Sequence, residues 1–330
     1  MRNFVENIHH YKVYGRYCYY LHCRKKQIVS YLYTRGVPVE LLFYNTYENT
    51  SQIEHGFMEQ NELTYTYNTQ TVNSNDLALI GVNERVEIFE KLVHAEPLTQ
   101  NLINENKMIF IQPNDYYIPF RKNYQTRHGF HSLMVWGYDY TNEVKKIFLL
   151  DLDDTDYFCG EIDSIELHKA FNDAPIEKRA VVYFEIVDNM NVNDARKIIS
   201  DKFIEYFKDF CDDFSFYDNI HLYVKNHMDQ PEENEILPSL SHALFMLSGS
   251  RFLLSKFIES IINDKLLSIH LLTLSNEIII LRNIIIKAYY SGNFDLHKIK
   301  YESLLLKKKE IALLEQIKQC AASLKSFHHD

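Results

Sequence analysis

The sequence predicts an α+β protein in which a helix and an antiparallel sheet form the N-terminal domain and an all-α helical region follows. Short β-branched and aromatic runs cluster before about residue 188, whereas the remainder has the period of amphipathic helices. Of the 330 residues, 46% are hydrophobic and only 9 are Gly and 7 Pro, which is typical of a folded protein with a sizeable core. We place the two domains at 1–190 and 191–330.

Charge and composition exclude several classes of function. A formal net charge of −10 opposes binding to nucleic acid or to an anionic membrane surface. The densest apolar run, 278–286, is short and is interrupted by Arg282 and Asn283, so no membrane span is expected. The 5 cysteines are irregularly spaced and form no C-x-x-C pair, which favours free thiols in a reducing compartment. We therefore expect a soluble, cytoplasmic protein.

The first half begins with a helix and continues with the sheet. A helix over 27–33 should end near Gly36, because glycine suits the position just past a helix end and Pro38 cannot continue the helix. A second helix is predicted over 84–94. Strands are predicted over 108–112, 131–138, 146–151 and 180–187. A sequence like a capping box at 163–166 predicts a short helix over 167–171.

The second half reads as a helical bundle. Helix-period patterns cover 195–210, 240–262, 265–290 and 296–324, and the last three are long and amphipathic enough to pack on one another. Pro231 and Pro238, with acidic residues between them, indicate a loop inside this half.

One hairpin predicts a pair of chemically useful side chains. If the loop after the strand at 131–138 is symmetric about Thr141, paired residue numbers sum to 282, and His131 then faces Asp151. Directly opposed residues of an antiparallel pair share a face with Cβ atoms about 4.5–5.5 Å apart. The carboxylate would hold one ring nitrogen, so that the other could take a proton from a thiol.

Cys23 and Cys18 are the candidates for that thiol. Cys23 directly precedes the helical run, where a helix N-terminus would stabilise a thiolate. The cations Arg24, Lys25 and Lys26 that follow are unfavourable for the helix dipole in a first turn, but as nearby positive charges they would also lower the pKa of a thiol, and the sequence leaves their net effect open. Simpler interpretations exist for each residue, since an isolated cysteine is usually an inert small hydrophobe and an aspartate at a strand end can simply begin a turn.

Two stretches resemble the papain-like family named after the butirosin-biosynthesis H protein. The first is HCRKKQIVSYLYTRGVPVELLFYNT at 22–46, in which a His-Cys pair precedes a helix and a glycine. The second is NDYYIPFRKNYQTRHGFHSLMVWGYDYTNEVKKIFLLD at 114–151, with an acidic-Tyr-Tyr-x-Pro segment, a strand that begins with histidine and a closing aspartate. SGSRFLLSKFIE at 248–259 also looks like the family's C-terminal region. The resemblance selects Cys23 as nucleophile, His131 as base and Asp151 as the residue that orients it.

The resemblance implies an acyltransferase that forms a thioester on the cysteine and passes an acyl or peptidyl group from a carrier protein to a small amine in specialised-metabolite, that is antibiotic, biosynthesis. It implies no cofactor of the protein itself, because the substrate arrives on the carrier's phosphopantetheine arm. Tyr17, Tyr117 and Arg121 are the expected substrate-binding residues, and Arg121, Lys122 and Arg127 are the cations that an acidic carrier would meet. No metal site is expected, because the loop at 151–156 lacks the glycine and the final glutamate of a calcium loop.

The sequence departs from the papain pattern in one respect. No glutamine lies in the stretch 17–22 before the nucleophile, so backbone N–H groups at the helix start would have to stabilise the oxyanion. Two alternatives stay open on sequence grounds. The same site could release the acyl group to water as a peptidase or thioesterase, or a decayed site could leave a binding protein that self-associates through 296–324.

Overall fold

A computed structural model describes residues 1–5, 20–60, 70–152, 157–187, 191–230 and 235–327. Its contacts divide the chain into two compact units. The first comprises Met1–Arg16, His22–Pro38 and Ser74–Met190, and the second comprises Tyr17–Leu21, Val39–Asn73 and Asn191–Asp330.

The elements are named in chain order. They are β1 (Arg2–Phe4), α1 (Cys23–Thr34), α2 (Thr50–Glu54), α3 (Ser74–Leu79), β2 (Val82–Ile88), α4 (Leu92–Asn104), β3 (Ile109–Ile111), β4 (Leu133–Asp139), β5 (Lys146–Asp151), β6 (Phe158–Asp163), α5 (Ser164–Asp173), β7 (Ala180–Ile186), α6 (Val192–Lys208), α7 (Ser215–Asp229), α8 (Ile236–Phe257), α9 (Lys265–Ser291) and α10 (Leu296–Phe327). The α+β class with an antiparallel sheet and a C-terminal helical region is confirmed.

A seven-stranded antiparallel sheet forms the centre of the first unit. Its order is β2-β7-β3-β4-β5-β6, and β1 pairs with β4. The four predicted strands are confirmed as β3, β4, β5 and β7, and the helix predicted over 167–171 is confirmed as α5. Asp163 is the N-cap of that helix, but its side chain makes no capping hydrogen bond. Strands β1, β2 and β6 were not predicted.

The helix predicted over 84–94 is wrong for most of its length, since only residues 92–94 are helical, as the start of α4. Residues Val82–Ile88 form an edge strand instead, and all seven pair with β7. Cross-strand polar contacts stabilise this pairing, since Arg85 Nε donates to Glu185 at 2.8 Å and the Tyr183 hydroxyl donates to Glu87 at 3.0 Å. The local spacing of apolar and charged residues resembles a helix, but the long-range pairing with β7 decides the structure.

Helix α1 lies on the sheet and begins at Cys23. Tyr31 is 1% exposed and packs on Phe110 of β3 and Phe184 of β7, with ring centroids 5.7 and 6.3 Å away. The helix ends as predicted, because Gly36 adopts a φ of +78° and the Val37 N–H donates to the Leu32 carbonyl at 3.0 Å. This is the hydrogen bond of a Schellman C-cap, which closes the helix.

The second unit consists largely of helices. The four predicted helices are confirmed as α6, α8, α9 and α10, and α9 packs on both α8 and α10. Helix α7 was missed. The loop predicted around two prolines is only partly tested, because 231–234 lie outside the described residues and Pro238 lies in the first turn of α8. A buried ion pair joins α8 to α10, in which Arg251 and Glu310 are both fully buried.

One helix in the described part of the chain is long and apolar enough to cross a bilayer by length and composition alone. It is α9, of whose most apolar window 33% is buried. Core helices of soluble proteins pass the same test.

Candidate active site

Cys23 is the first residue of α1. It is partly exposed, and the first turn that follows contains no acidic residue. The first N–H groups of a helix have no partner within the helix, so its N-terminus favours a negatively charged group. The side chain of His22, the N-cap residue, makes no capping hydrogen bond, but it is among the groups that lower the pKa of the thiol. Cys23 therefore lies where a thiolate is stabilised and where a reagent can reach it.

His131 lies beside Cys23, just before β4 begins. Its side chain is only 11% exposed, and one of the groups that its ring interacts with is the Cys23 thiol. The other interaction of the ring is with Asp151, because Nε2 lies 3.0 Å from Oδ1 and 2.9 Å from Oδ2. Nδ1 is therefore the nitrogen left for the thiol.

Asp151 closes β5 and is fully buried. Besides His131 it binds Arg121, whose Nη1 donates to Oδ2 at 2.7 Å and whose side chain is only 9% exposed. A buried carboxylate needs such partners, because removing a charge from water is costly. The result is a continuous chain of groups from Arg121 through Asp151 and His131 to Cys23.

The predicted contact between His131 and Asp151 is present, but the register from which it was predicted is wrong. Next to the loop, the numbers of two paired residues sum to 285, as for Asp139 with Lys146. A bulge at Trp136 changes this sum to 284 for the pairs beyond it. If the ladder continued by one residue, Asp151 would face Leu133, which makes His131 a diagonal neighbour. Diagonal neighbours are still within reach of a long or aromatic side chain.

The contacts favour a thiolate and an imidazolium. Burial opposes the charged thiolate, but hydrogen bonds from His131 and His22, the His131 charge and the Ser132 backbone N–H outweigh it and lower the pKa of Cys23 to about 6. Burial likewise opposes a charged imidazole, whereas the hydrogen bonds to Asp151 and Cys23 raise the pKa of His131 to about 9. Between these values the pair is an ion pair in which the thiol is already deprotonated.

The expected substrate-binding residues have different surroundings. Tyr117 is half-buried, and its hydroxyl lies 3.4 Å from Asp173. Arg121 is not a surface cation, since Asp151 holds it, and its expected place in a surface basic patch is wrong. Lys122 and Arg127 are exposed. Tyr17 lies outside the described residues, as does Cys18.

Sequence reasoning missed His22 as a neighbour of the thiol, and it missed the contact of Gln27 with Ser132. Gln27 Nε2 donates to the Ser132 carbonyl at 2.7 Å, and the Ser132 hydroxyl donates to Gln27 Oε1 at 2.6 Å. Both polar atoms of this glutamine bind Ser132, and it follows the nucleophile instead of preceding it as the oxyanion glutamine of the papain pattern does. The helical spacing of four residues could have predicted that Gln27 lies near Cys23. Its contact with Ser132 had no local signal, because the two residues are 105 positions apart.

A small cleft lies next to residues that adjoin Cys23 and His131 in the chain. Its lining includes Arg24, Ser132, Glu177 and Lys178, together with residues of β3 and β7. Within the part of the chain that the structure describes, no three histidine, cysteine or acidic side chains form a group that could hold a metal ion. The arrangement has the groups needed for nucleophilic chemistry at Cys23.

The sequence is similar to that of a known transferase. No profile of a known protein family matches the chain. A transferase of Niallia circulans is 30% identical over 240 residues, which are 72% of this chain and 76% of the relative. That enzyme is named for transfer of a 4-(γ-L-glutamylamino)-(S)-2-hydroxybutanoate group between the BtrI acyl-carrier protein and ribostamycin.

Proposed function

This chain belongs to the family of that carrier-protein-dependent transferase, the butirosin-biosynthesis H family, and we propose that it is itself a cysteine-dependent acyltransferase. Its substrates are an acyl or peptidyl group on a carrier protein and a small amine acceptor in specialised-metabolite biosynthesis. The observation that carries the proposal is the chain of contacts from Cys23 through His131 to Asp151. A nucleophile at a helix start and a base from the sheet are also the grounds for proposing a papain-like domain.

The first half-reaction forms an acyl-enzyme. The Cys23 thiolate attacks the thioester carbonyl of the acyl-pantetheine, a new C–S bond forms, and the original C–S bond breaks. The leaving pantetheine thiolate takes the proton of His131, so the carrier departs as a thiol and the imidazole is left neutral.

The second half-reaction transfers the acyl group to the amine. The neutral amine attacks the acyl carbonyl, the C–N bond forms and the bond to Cys23 breaks. The neutral His131 takes the proton that the amine loses, which regenerates the thiolate and imidazolium. In both steps the candidate donors to the developing oxyanion are the backbone N–H groups at the start of α1 and that of Ser132.

Asp151 and Arg121 act through His131. Asp151 binds Nε2 and so keeps Nδ1 directed at Cys23, and it stabilises the imidazolium. Arg121 binds the same carboxylate at 2.7 Å and thereby fixes its position. Neither residue needs to touch the substrate.

The proposal implies the rest of the biochemical setting. The protein has no cofactor of its own, because the phosphopantetheine comes with the carrier protein, and its place of action is the cytoplasm. Water excluded from the acyl-enzyme would favour the amine as acceptor. Access of water would make the same site a thioesterase or peptidase.

The direct test is intact-mass measurement after mixing the protein with carrier-bound 4-(γ-L-glutamylamino)-(S)-2-hydroxybutanoate, the acyl group named for the relative. An adduct of the acyl mass on Cys23, absent from Cys23→Ala, is expected. Cys211→Ser is the matched control, since Cys211 is exposed and far along the chain in the other unit. A Cys18→Ser variant removes the alternative nucleophile.

Addition of ribostamycin or a simple primary amine then distinguishes transfer from hydrolysis. Amide product that appears faster than free acid supports the transferase, whereas free acid at the same rate with or without amine indicates a hydrolase. If no donor thioester acylates Cys23, and the thiol is also no more reactive than Cys211, the protein is a binding protein that has lost its chemistry.

A further inference from the structure

Two fully buried polar side chains connect the nucleophile helix to the segment that carries the base. Gln27 and Ser132 are each 1% exposed. They exchange two hydrogen bonds, from Gln27 Nε2 to the Ser132 carbonyl and from the Ser132 hydroxyl to Gln27 Oε1. We call these two residues the clamp.

The clamp lies close to both residues of the proposed catalytic pair, Cys23 and His131. Gln27 lies four residues after Cys23, so both side chains are on the same face of α1, one turn apart. Ser132 follows His131 directly. One pair of hydrogen bonds therefore joins the turn next to the nucleophile to the residue next to the base.

Ser132 also acts on the nucleophile, because its backbone N–H is among the groups that lower the pKa of the Cys23 thiol. Its carbonyl and hydroxyl are held by Gln27. Residues 131 and 132 come before the first strand residue of β4, Leu133, and the His131 backbone N–H donates to the Pro113 carbonyl at 3.2 Å. The clamp supplies directional contacts at this point of the chain.

Stability alone does not explain a buried amide and hydroxyl at this place. Replacing both partners of a buried hydrogen bond by apolar groups of similar shape is nearly neutral for folding. What an apolar pair would not supply is direction, since hydrogen bonds fix distance and angle. We propose that Gln27 and Ser132 are positioning residues that set the distance between the Cys23 thiol and the His131 ring.

This inference rests on the proposed function, because it concerns the same nucleophile and base. The titratable groups that face the thiol are His131 and His22, and Arg24 follows it in the helix. Asp151 and Arg121 lie behind His131. Gln27 itself carries no charge, so a change in Cys23 reactivity on its substitution reports geometry and not a lost charge.

The test is the pH profile of Cys23 alkylation by iodoacetamide in the full-length protein, with the labelled residue mapped by mass spectrometry. Gln27→Leu keeps a branched side chain that is one atom shorter, and it loses both hydrogen bonds. We expect the midpoint for Cys23 to rise by about one pKa unit, which is a tenfold smaller thiolate fraction below the midpoint. Ser132→Ala, which loses one of the two bonds, should shift the midpoint in the same direction by less.

Thr34→Val is the matched control. It removes a 2.8 Å hydrogen bond from the Thr34 hydroxyl to the Ser30 carbonyl on the same helix, away from the thiol. Its alkylation midpoint should equal that of the wild type. Thermal unfolding of each variant shows whether a change in profile accompanies a loss of fold.

The outcomes separate this inference from the proposed function. A folded Gln27→Leu protein with the wild-type midpoint overturns the positioning role. If Gln27→Leu does not fold, Ser132→Ala decides, and an unchanged midpoint in that variant overturns the role equally. A wild-type Cys23 that already titrates like an ordinary thiol contradicts the proposed function itself, before any variant is compared.

Discussion

The sharpest prediction concerns His131→Ala and the titration of the Cys23 thiol. In the wild type the imidazole opposes the effect of burial, and the pKa of Cys23 is lowered to about 6. Without the ring, burial still disfavours the thiolate, and only His22 and the Ser132 N–H remain to favour it. We expect the pKa to return to the ordinary thiol value of 9.0 or above.

The magnitude follows from this shift of about three pKa units, which corresponds to about 4 kcal/mol. At pH 7 the thiolate fraction falls from about nine tenths to about one hundredth, a loss of about 100-fold by the same arithmetic. A thiolate of higher pKa is more nucleophilic, and with a Brønsted coefficient of about 0.4–0.5 the intrinsic reactivity of the thiolate rises about 20-fold over three pKa units. The rate at pH 7 should therefore fall only about fivefold, so the midpoint is the better observable.

The assay is iodoacetamide alkylation from pH 5 to pH 10 with each cysteine mapped separately. Cys320 is an internal reference for a slow thiol, because burial, with the Asp264 charge, raises its pKa to about 11. His128→Ala is the matched control, since His128 lies in the same segment and stacks on Tyr116 with a 4.3 Å centroid distance. If His131→Ala leaves the Cys23 midpoint near pH 6, the imidazole does not activate the thiol and the reasoning fails.

Four further predictions follow from the same contacts. The transfer rate should rise through pH of about 6, as the thiol loses its proton, and fall through about 9, as the imidazolium loses its own, in a bell-shaped initial-rate profile. Arg121→Met should lower the free energy of unfolding by about 1.5–3 kcal/mol in urea titrations, because Asp151 loses a charged hydrogen-bond partner. Glu310→Gln should lower it by about 3–5 kcal/mol, because Arg251 is left as an uncompensated buried charge, and an unchanged urea midpoint would contradict this. Gly36→Ala should cost about 1–2 kcal/mol in the same titration, since the φ of +78° is unfavourable for any residue with a Cβ even though nothing lies within 4 Å of it.

Local patterns were sufficient for much of the fold. The ends of α9 agree with the sequence pattern because α9 is a long periodic helix, and the bounds of β5 agree because β5 is a short apolar run with clear limits. Strand β2 was mistaken for a helix, because its charges occur at spacings that fit either structure. Only its seven pairs with β7, about 100 residues later, distinguish the two.

The three candidate site residues could be predicted from the sequence, but the side chains that hold them in place could not. Cys23, His131 and Asp151 are the candidates that the sequence gives, and the contact between His131 and Asp151 is present even though the register argument was wrong. The roles of Arg121 and Gln27 could not be predicted, because each depends on a side-chain contact with a residue at least 30 positions away.

The assignment of 39–73 to the same compact unit as the C-terminal helices also had no sequence signal. Within that unit, Thr50 binds Asp212 through both its backbone N–H at 2.6 Å and its hydroxyl at 2.7 Å. Such contacts depend on partners about 160 residues away, and periodicity carries no information about them.

The pattern of burial favours an active enzyme over a decayed one. A chain of buried charged groups seldom stabilises a fold more than apolar side chains of the same volume would. The Arg251 and Glu310 pair could be purely structural, since both are fully buried and Tyr217, which also binds Glu310, is buried with them. The chain that starts at Arg121 differs, because it ends on a cysteine that remains partly exposed. A binding protein would gain nothing from directing three buried polar groups at an accessible thiol, whereas a nucleophilic enzyme requires it.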